Sequence, residues 1–303
     1  MKSSARTWGL ISGAVAAAAY GLNPLFARPL YEFGLTPAMV LFYRFALAAV
    51  MLVPLLVVKR ISFALNVREF FASVLGGALM VASSLCLYSA FNYMDVGLAM
   101  TLLFLYPVIV AVVMSTVYRE KLSWSIVASI VLALGGLICV TLLGKGNNNS
   151  EVHITWQGIV LAIGSAVSYA LYIVAVRKSA MSNLPSEKLT FYTVLLGAPF
   201  FLIFLHGGMD LKLPQELNAW LLLAGVAFFP TIIALALMAV AIDKVGATPT
   251  AILGVLEPLT GLLIGIIMYG ERLTLFSSMG IVLIFAAVLL VIAGDRKKPD
   301  AQS

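Results

Sequence analysis

The sequence predicts an all-α, polytopic membrane protein of ten transmembrane helices built from two inverted five-helix repeats. Three observations predict it. Of its 303 residues, 62% are hydrophobic and only 11% charged, where soluble domains are nearer a quarter charged, and this apolar surplus exceeds what a soluble core buries. The apolar residues fall in runs of about 20, the length a ~30 Å hydrocarbon layer demands, and they run continuously rather than alternating, which selects helices over a barrel. The chain also repeats itself: "WGLISGAVAAAAYGL" (8–22) lines up with "QGIVLAIGSAVSYAL" (157–171), placing Tyr20 on Tyr169.

The first span, 8–28, follows Lys2 and Arg6 and is rich in alanine, so alone it would pass for a signal peptide. Its internal copy at 156–177 argues that it belongs to the fold. The second, 36–58, ends at Lys59 and Arg60, and the third, 70–92, follows Arg68. The fourth, 97–118, contains Pro107 and stops before Arg119; the fifth, 123–144, opens at Trp124. A polar stretch at 145–155 separates the first repeat, 1–144, from the second, 156–303. The second repeat has spans at 156–177, 188–206, 217–242, 246–269 and 274–294. Within it Phe191–Tyr192 repeat Phe42–Tyr43, Val245–Gly246 repeat Val96–Gly97, and Pro258 and Glu271 repeat Pro107 and Glu120 after a two-residue insertion. Five spans per half is an odd number, so the halves enter the membrane in opposite senses.

With a cytoplasmic N-terminus, 14 lysines and arginines fall on the inner side and only Arg28, Lys145, Lys212 and Arg272 on the outer, with Arg44 inside a span. This is the positive-inside bias, and it places both termini in the cytoplasm of a cell inner membrane. Trp8, Trp124, Trp156 and Trp220 sit at span starts as interfacial anchors. The net charge of +6 does not indicate nucleic acid, because no basic, aromatic-interleaved domain carries it. Cys86 and Cys139 lie within apolar runs, and no structural disulfide is expected.

The paired motifs "YPVIVAVVMSTVYREKL" (106–122) and "LEPLTGLLIGIIMYGERL" (256–273), with "FYRFAL" at 42–47, resemble EamA-type members of the drug/metabolite transporter superfamily over residues 8–294. The resemblance implies a ten-helix carrier, often an exporter of amino acids and related metabolites. It also implies a central cavity lined by spans 1, 3, 4, 6, 8 and 9, with spans 5 and 10 peripheral. Small four-helix multidrug exporters of the same superfamily depend on a first-span glutamate; neither 8–28 nor 156–177 contains an acidic residue.

Two ionisable residues stand well inside spans. A charge in the bilayer core costs several kcal/mol, about 2.5 to over 10, so each should face protein or water. Arg44 lies ~10 Å and Glu257 ~16 Å from the end of its span at 1.5 Å per residue. Arg44 either grips an anionic group of a substrate, or it snorkels outward or pairs with carbonyls freed near Pro24 or Pro107, fastening the helices. Glu257 either couples transport to protons or is satisfied by Arg44 or by carbonyls that Pro258 frees. Asn23, Met80, Ser84, Tyr88, Asn92, Phe104, Tyr106, Tyr169 and Tyr172 join Arg44 as candidate substrate contacts, since rings with polar tips suit an amphipathic organic solute. Ordinary interhelical hydrogen bonding is the alternative use. Pro24, Pro107 and Pro258 are candidate hinges. Gly9-x-x-x-Gly13 and Gly261-x-x-x-Gly265 suit close packing within the bundle, ahead of dimerisation, which leaves a monomer or weak homodimer.

No zinc motif, nucleophile elbow or phosphate loop occurs, so neither enzyme chemistry nor a cofactor is expected. The expected partners are a small-molecule substrate, the lipid bilayer and, for coupling, a proton. A facilitative channel or a non-transport scaffold remains the alternative to a secondary transporter.

Overall fold

A computed structural model describes residues 2–90, 92–94, 96–139, 155–269 and 274–296. The linker but for Thr155, Glu271 and the tail beyond Arg296 lie outside them. The described chain is helical throughout, with no strand among the described residues. Among the described residues, seven stretches are long and apolar enough to cross a membrane: 5–32, 37–58, 67–90, 99–116, 156–178, 186–204 and 217–245. Trp124–Ile138 and Ser278–Val291 are shorter apolar helices. The protein is a multi-pass membrane protein.

Several expected spans are divided, and proline explains where. The first span is α1 (Lys2–Gly21) followed by α2 (Asn23–Glu32), broken at Leu22 just before Pro24. It runs on to Glu32, past the expected end at residue 28, because Pro29 is accommodated inside α2. Helix α3 (Pro37–Val58) starts on the Thr36 cap, whose hydroxyl accepts from the Met39 amide, and α4 (Val67–Ala90) is continuous. The fourth span is α5 (Val96–Leu103) and α6 (Tyr106–Thr116), and α7 (Trp124–Ile138) follows. Helices α8 (Trp156–Lys178) and α9 (Ser186–Phe204) are unbroken.

Beyond them α10 (Leu217–Ala227) passes through a π-helical turn, Phe228–Ile233, into α11 (Ala234–Val245). The ninth expected span is α12 (Ala247–Leu253) and α13 (Leu256–Tyr269), and α14 (Leu275–Arg296) is last. Pro24, Pro107 and Pro258 each fall in the first turn after a break. There a missing N–H costs least, because first-turn amides have no intrahelical partner. At the third break the carbonyl of Gly254, which Pro258 cannot engage, accepts from the Glu257 amide at 2.9 Å.

Small residues set the closest crossings. A Cβ on Gly77 of α4 would lie 2.9 Å from the Gly197 amide nitrogen of α9, so the two helices touch backbone to backbone. Gly9 and Gly13 of α1 pack on Lys244 and Val245, and on Leu253 and Ala241, closing α1 against α11 and α12. Gly261 has open space beside it, so close packing does not explain that residue. Helices α7 and α14 pack chiefly on each other, away from the centre. Trp8, Trp124 and Trp156 are exposed, whereas Trp220 is half-buried and donates its indole N–H to the Pro214 carbonyl.

Candidate functional site

The breaks at Leu22, 104–105 and 254–255 surround the centre of the bundle, and there the helices enclose a cavity of about 660 Å³. This lies within the ~300–1,000 Å³ of small-molecule sites. Its wall is α1 and α2 (Tyr20, Asn23, Tyr31), α3 (Pro37, Arg44), α4 (Ser83, Ser84, Tyr88), α5 (Met100, Leu103), Tyr169 of α8 and Glu257 of α13, with Asn92 just beyond α4. Non-helical or broken backbone at membrane depth is tolerated where it lines such a space.

Arg44 is 2% exposed and answers to the π-turn. Pro230 has no N–H to offer the Val226 carbonyl four residues back, and the Thr231 hydroxyl donates to that carbonyl instead, at 2.9 Å. Arg44 then donates from Nε to the Thr231 Oγ1 at 2.6 Å and from Nη2 to the Pro230 carbonyl at 2.7 Å. Its guanidinium also lies over the Tyr20 ring, 5.1 Å from the centroid. Thus Arg44 does fasten helices, but its partners are Pro230 and Thr231 rather than carbonyls near Pro24 or Pro107. A cation in the middle of α3 offsets its desolvation by donating to the carbonyl of Pro230 and to the hydroxyl that fills the backbone gap the proline leaves.

Glu257 sits in the first turn of α13, at the positive end of that half-helix, and faces the cavity. No ion pair or hydrogen bond joins its carboxyl to another side chain among the described residues. The Arg44 guanidinium, on the same cavity wall, is the cation whose field reaches the Glu257 carboxyl.

Below Glu257 the cavity is closed by stacked tyrosines. The rings of Tyr106 and Tyr169 meet edge-on at 4.8 Å, Tyr169 lies parallel to Tyr172 at 6.4 Å, and the Tyr169 hydroxyl points at the Met238 sulfur at 3.4 Å. The Tyr106 hydroxyl abuts Gly254 so tightly that a Cβ there would fall 1.7 Å from it. At the opposite end, by Tyr31, Pro37 and Asn92, the cavity reaches its mouth.

Of the candidate contacts, Asn23, Arg44, Ser84, Tyr88, Asn92 and Tyr169 line the cavity. Tyr106 lies in the floor, lining a void of about 20 Å³ beside Tyr20, Tyr169 and Glu257. Met80, Phe104 and Tyr172 do not line the cavity; each is 1% exposed within the core. Pro107 packs beside Phe104 at a separate small void, and Pro258 lines none of these spaces. Tyr31, Met100 and Leu103 were not foreseen. Nor does the expected eighth span line the wall: Arg44 and α1 stand between the cavity and the π-turn, and α3 takes its place.

An all-helical, multi-pass fold with broken helices around a central, partly polar cavity is the architecture a membrane transporter requires. Comparison with known proteins agrees. The profile of the EamA-like transporter family matches residues 7–142 and again 156–293, and the chain belongs to that family. It is 25% identical over 233 residues to a protein of Bacillus subtilis strain 168 named as an uncharacterized transporter, YxxF, covering 77% of this chain and 73% of that one. It is 29% identical over 206 residues to an uncharacterized transporter of Archaeoglobus fulgidus, covering 67% and 69%. To YwfM of Bacillus subtilis, also named as an uncharacterized transporter, it is 30% identical over 188 residues, covering 61% and 60%. A solved crystal structure shares the fold with a TM-score of 0.81 at 15% identity, over 94% of this chain and 98% of that one.

Proposed function

We propose that the chain is a secondary transporter that exports amino acids or amino-acid-like solutes by alternating access. The observation that carries this reading is one cation and one carboxyl, Arg44 and Glu257, facing a central aromatic-rich cavity of about 660 Å³ with packed tyrosines at one end. A solute with a carboxylate, an ammonium and an apolar side chain finds a partner for each there: Arg44, Glu257, and the rings of Tyr20, Tyr88 and Tyr169. A continuous pore would need an open floor, and tyrosines occupy it.

Two inverted halves of five helices, 1–144 and 156–303, are the machinery of this reading, supported by the sequence repeat and by the family profile matching each half once. With both termini in the cytoplasm of the inner membrane, the mouth at Tyr31 and Asn92 faces outward and the tyrosine floor is the inner closure. Pro24, Pro107 and Pro258 then mark where helices bend as the floor opens, and Glu257 is the group a proton would occupy. One chain encloses the whole cavity, so a monomer suffices.

The test is efflux from proteoliposomes loaded with a mixed pool of amino acids and other metabolites, read by mass spectrometry with and without an imposed pH gradient. Saturable loss of a few zwitterionic solutes, with counterflow, is expected. Non-saturating flux, or loss of non-zwitterionic solutes alone, overturns the reading.

A further inference from the structure

Beside the central cavity lies a second cleft of about 650 Å³, and Pro37, Tyr88 and Asn92 line both spaces. Helices α3 and α4 each pack along α9, and the cleft lies between their mouth-side ends, against the turn that follows α9. Its floor is apolar: Met39, Leu41 and Leu205 are buried beneath it, and Leu85 and Phe204 flank them. Its rim is polar and carries one charge of each sign, Asp210 and Lys212.

The turn that presents those two charges is fixed in place. His206, Gly207 and Gly208 take φ of 46°, 71° and 99°, reversing the chain sharply after α9. The Leu211 amide donates to the Gly208 carbonyl at 3.0 Å, and the Tyr43 hydroxyl donates to the Lys212 carbonyl at 3.0 Å. Tyr43 is itself held edge-on by Trp220, with ring centroids 5.7 Å apart. His206 Nδ1 meets Asp210 Oδ2 at 2.5 Å and holds one carboxylate oxygen, leaving the other oxygen for a ligand. The Lys212 ammonium forms no ion pair among the described residues.

The geometry points to a second, mouth-side binding site for a zwitterion with an apolar side chain, between the central cavity and solvent. The apolar floor takes the side chain, the Lys212 ammonium the carboxylate, and Asp210 with the Asn92 amide oxygen the ammonium. Exposed charges bind weakly, so affinity is low and selectivity rests on needing both signs together. A solute leaving the central cavity past Tyr88 and Asn92 is held there before release. This site deepens the carrier reading above and rests on it.

The experiment is equilibrium dialysis of radiolabelled leucine against the full chain in detergent. The wild type is expected to show a tighter and a weaker site. Asp210→Asn with Lys212→Gln, and separately Ser89→Trp, which fills the cleft, should weaken the second site by about fivefold or more and leave the first within about twofold. Leucinamide and 4-methylpentanoate, which keep the side chain but lack one charge each, should fail to displace leucine from the weaker site. A single-site isotherm for the wild type, or two sites unaltered in both variants, overturns the inference and leaves the carrier reading standing. No leucine binding at all by the wild type removes both.

Discussion

Replacing Arg44 with methionine separates the two uses of this residue. The change removes two charge-assisted hydrogen bonds, to Thr231 Oγ1 and to the Pro230 carbonyl. Hydrogen bonds to charged groups contribute about 1.5–3 kcal/mol each, though interhelical bonds in membrane proteins average nearer 0.6. The Thr231 hydroxyl keeps its bond to the Val226 carbonyl, so only the Pro230 carbonyl is left bare. Methionine also relieves the desolvation of a buried charge. Weighing these, the loss of stability should be about 2 kcal/mol. In a chain of this size that lowers the midpoint of thermal unfolding by roughly 3 °C, readable in detergent by tryptophan fluorescence. Thr231→Val removes the Arg44 Nε bond and the Val226 bond together, and combining it with Arg44→Met should cost about 1 kcal/mol less than the sum, because the two residues share one bond. If Arg44→Met melts within about 1 °C of the wild type while solute binding disappears, Arg44 does not fasten the π-turn energetically and acts on the solute alone.

Three further outcomes follow from the site. Glu257→Gln keeps the shape of the cavity wall but can neither lose nor gain a proton, so transport should lose its pH dependence while solute binds more weakly, through the amide oxygen alone; an unchanged pH profile in proteoliposomes removes Glu257 from coupling. Gly254→Ala places a Cβ 1.7 Å from the Tyr106 hydroxyl, so it should displace Tyr106, loosen the floor and raise leak flux, with Tyr106→Ala in the same chain restoring stability; an unaltered leak and midpoint would contradict the tight contact. The Lys178–Glu120 pair, 2.9 Å apart beside the Tyr118 ring, ties the end of α8 to the loop after α6. Being half-exposed it contributes about 0.5 kcal/mol, so Glu120→Gln should alter the transport rate only about twofold, and the swap Glu120→Lys with Lys178→Glu should restore it.

The helical class, the apolar runs and the proline positions were legible in the sequence because each is a local property. Helix phase was not. Met80, Phe104 and Tyr172 were expected in the cavity and lie in the core, because a helix apolar all round carries little moment to say which side faces the centre. Tyr169 and Tyr172 are one turn apart, yet only Tyr169 reaches the main cavity. Tyr31 was missed because hydropathy fades near Arg28 while the helix continues to Glu32. Its spacing from Tyr20, three helical turns, was the available signal. The π-turn had a marker in Pro230, but nothing local says that its partner is 186 residues away.

The sequence repeat bears on why Arg44 exists at all. The register that puts Tyr20 on Tyr169 puts Arg44 on Thr193 and Val81 on Pro230. Arg44 of α3 meets the π-turn at Pro230; the equivalent meeting in the other half is that of α9, carrying Thr193, with α4, carrying Val81. Where proline interrupts the helix, the facing residue is an arginine, which donates to the Pro230 carbonyl and to the Thr231 hydroxyl that holds the opened Val226 carbonyl. Where Val81 leaves α4 continuous, no carbonyl is freed, and α9 carries a threonine at the position equivalent to Arg44. A cation selected only to hold a solute would have no reason to track a proline on a neighbouring helix. The charge and the helix defect occur together and are absent together, as expected if repairing backbone hydrogen bonds is the first task of Arg44 and solute contact a use added to it.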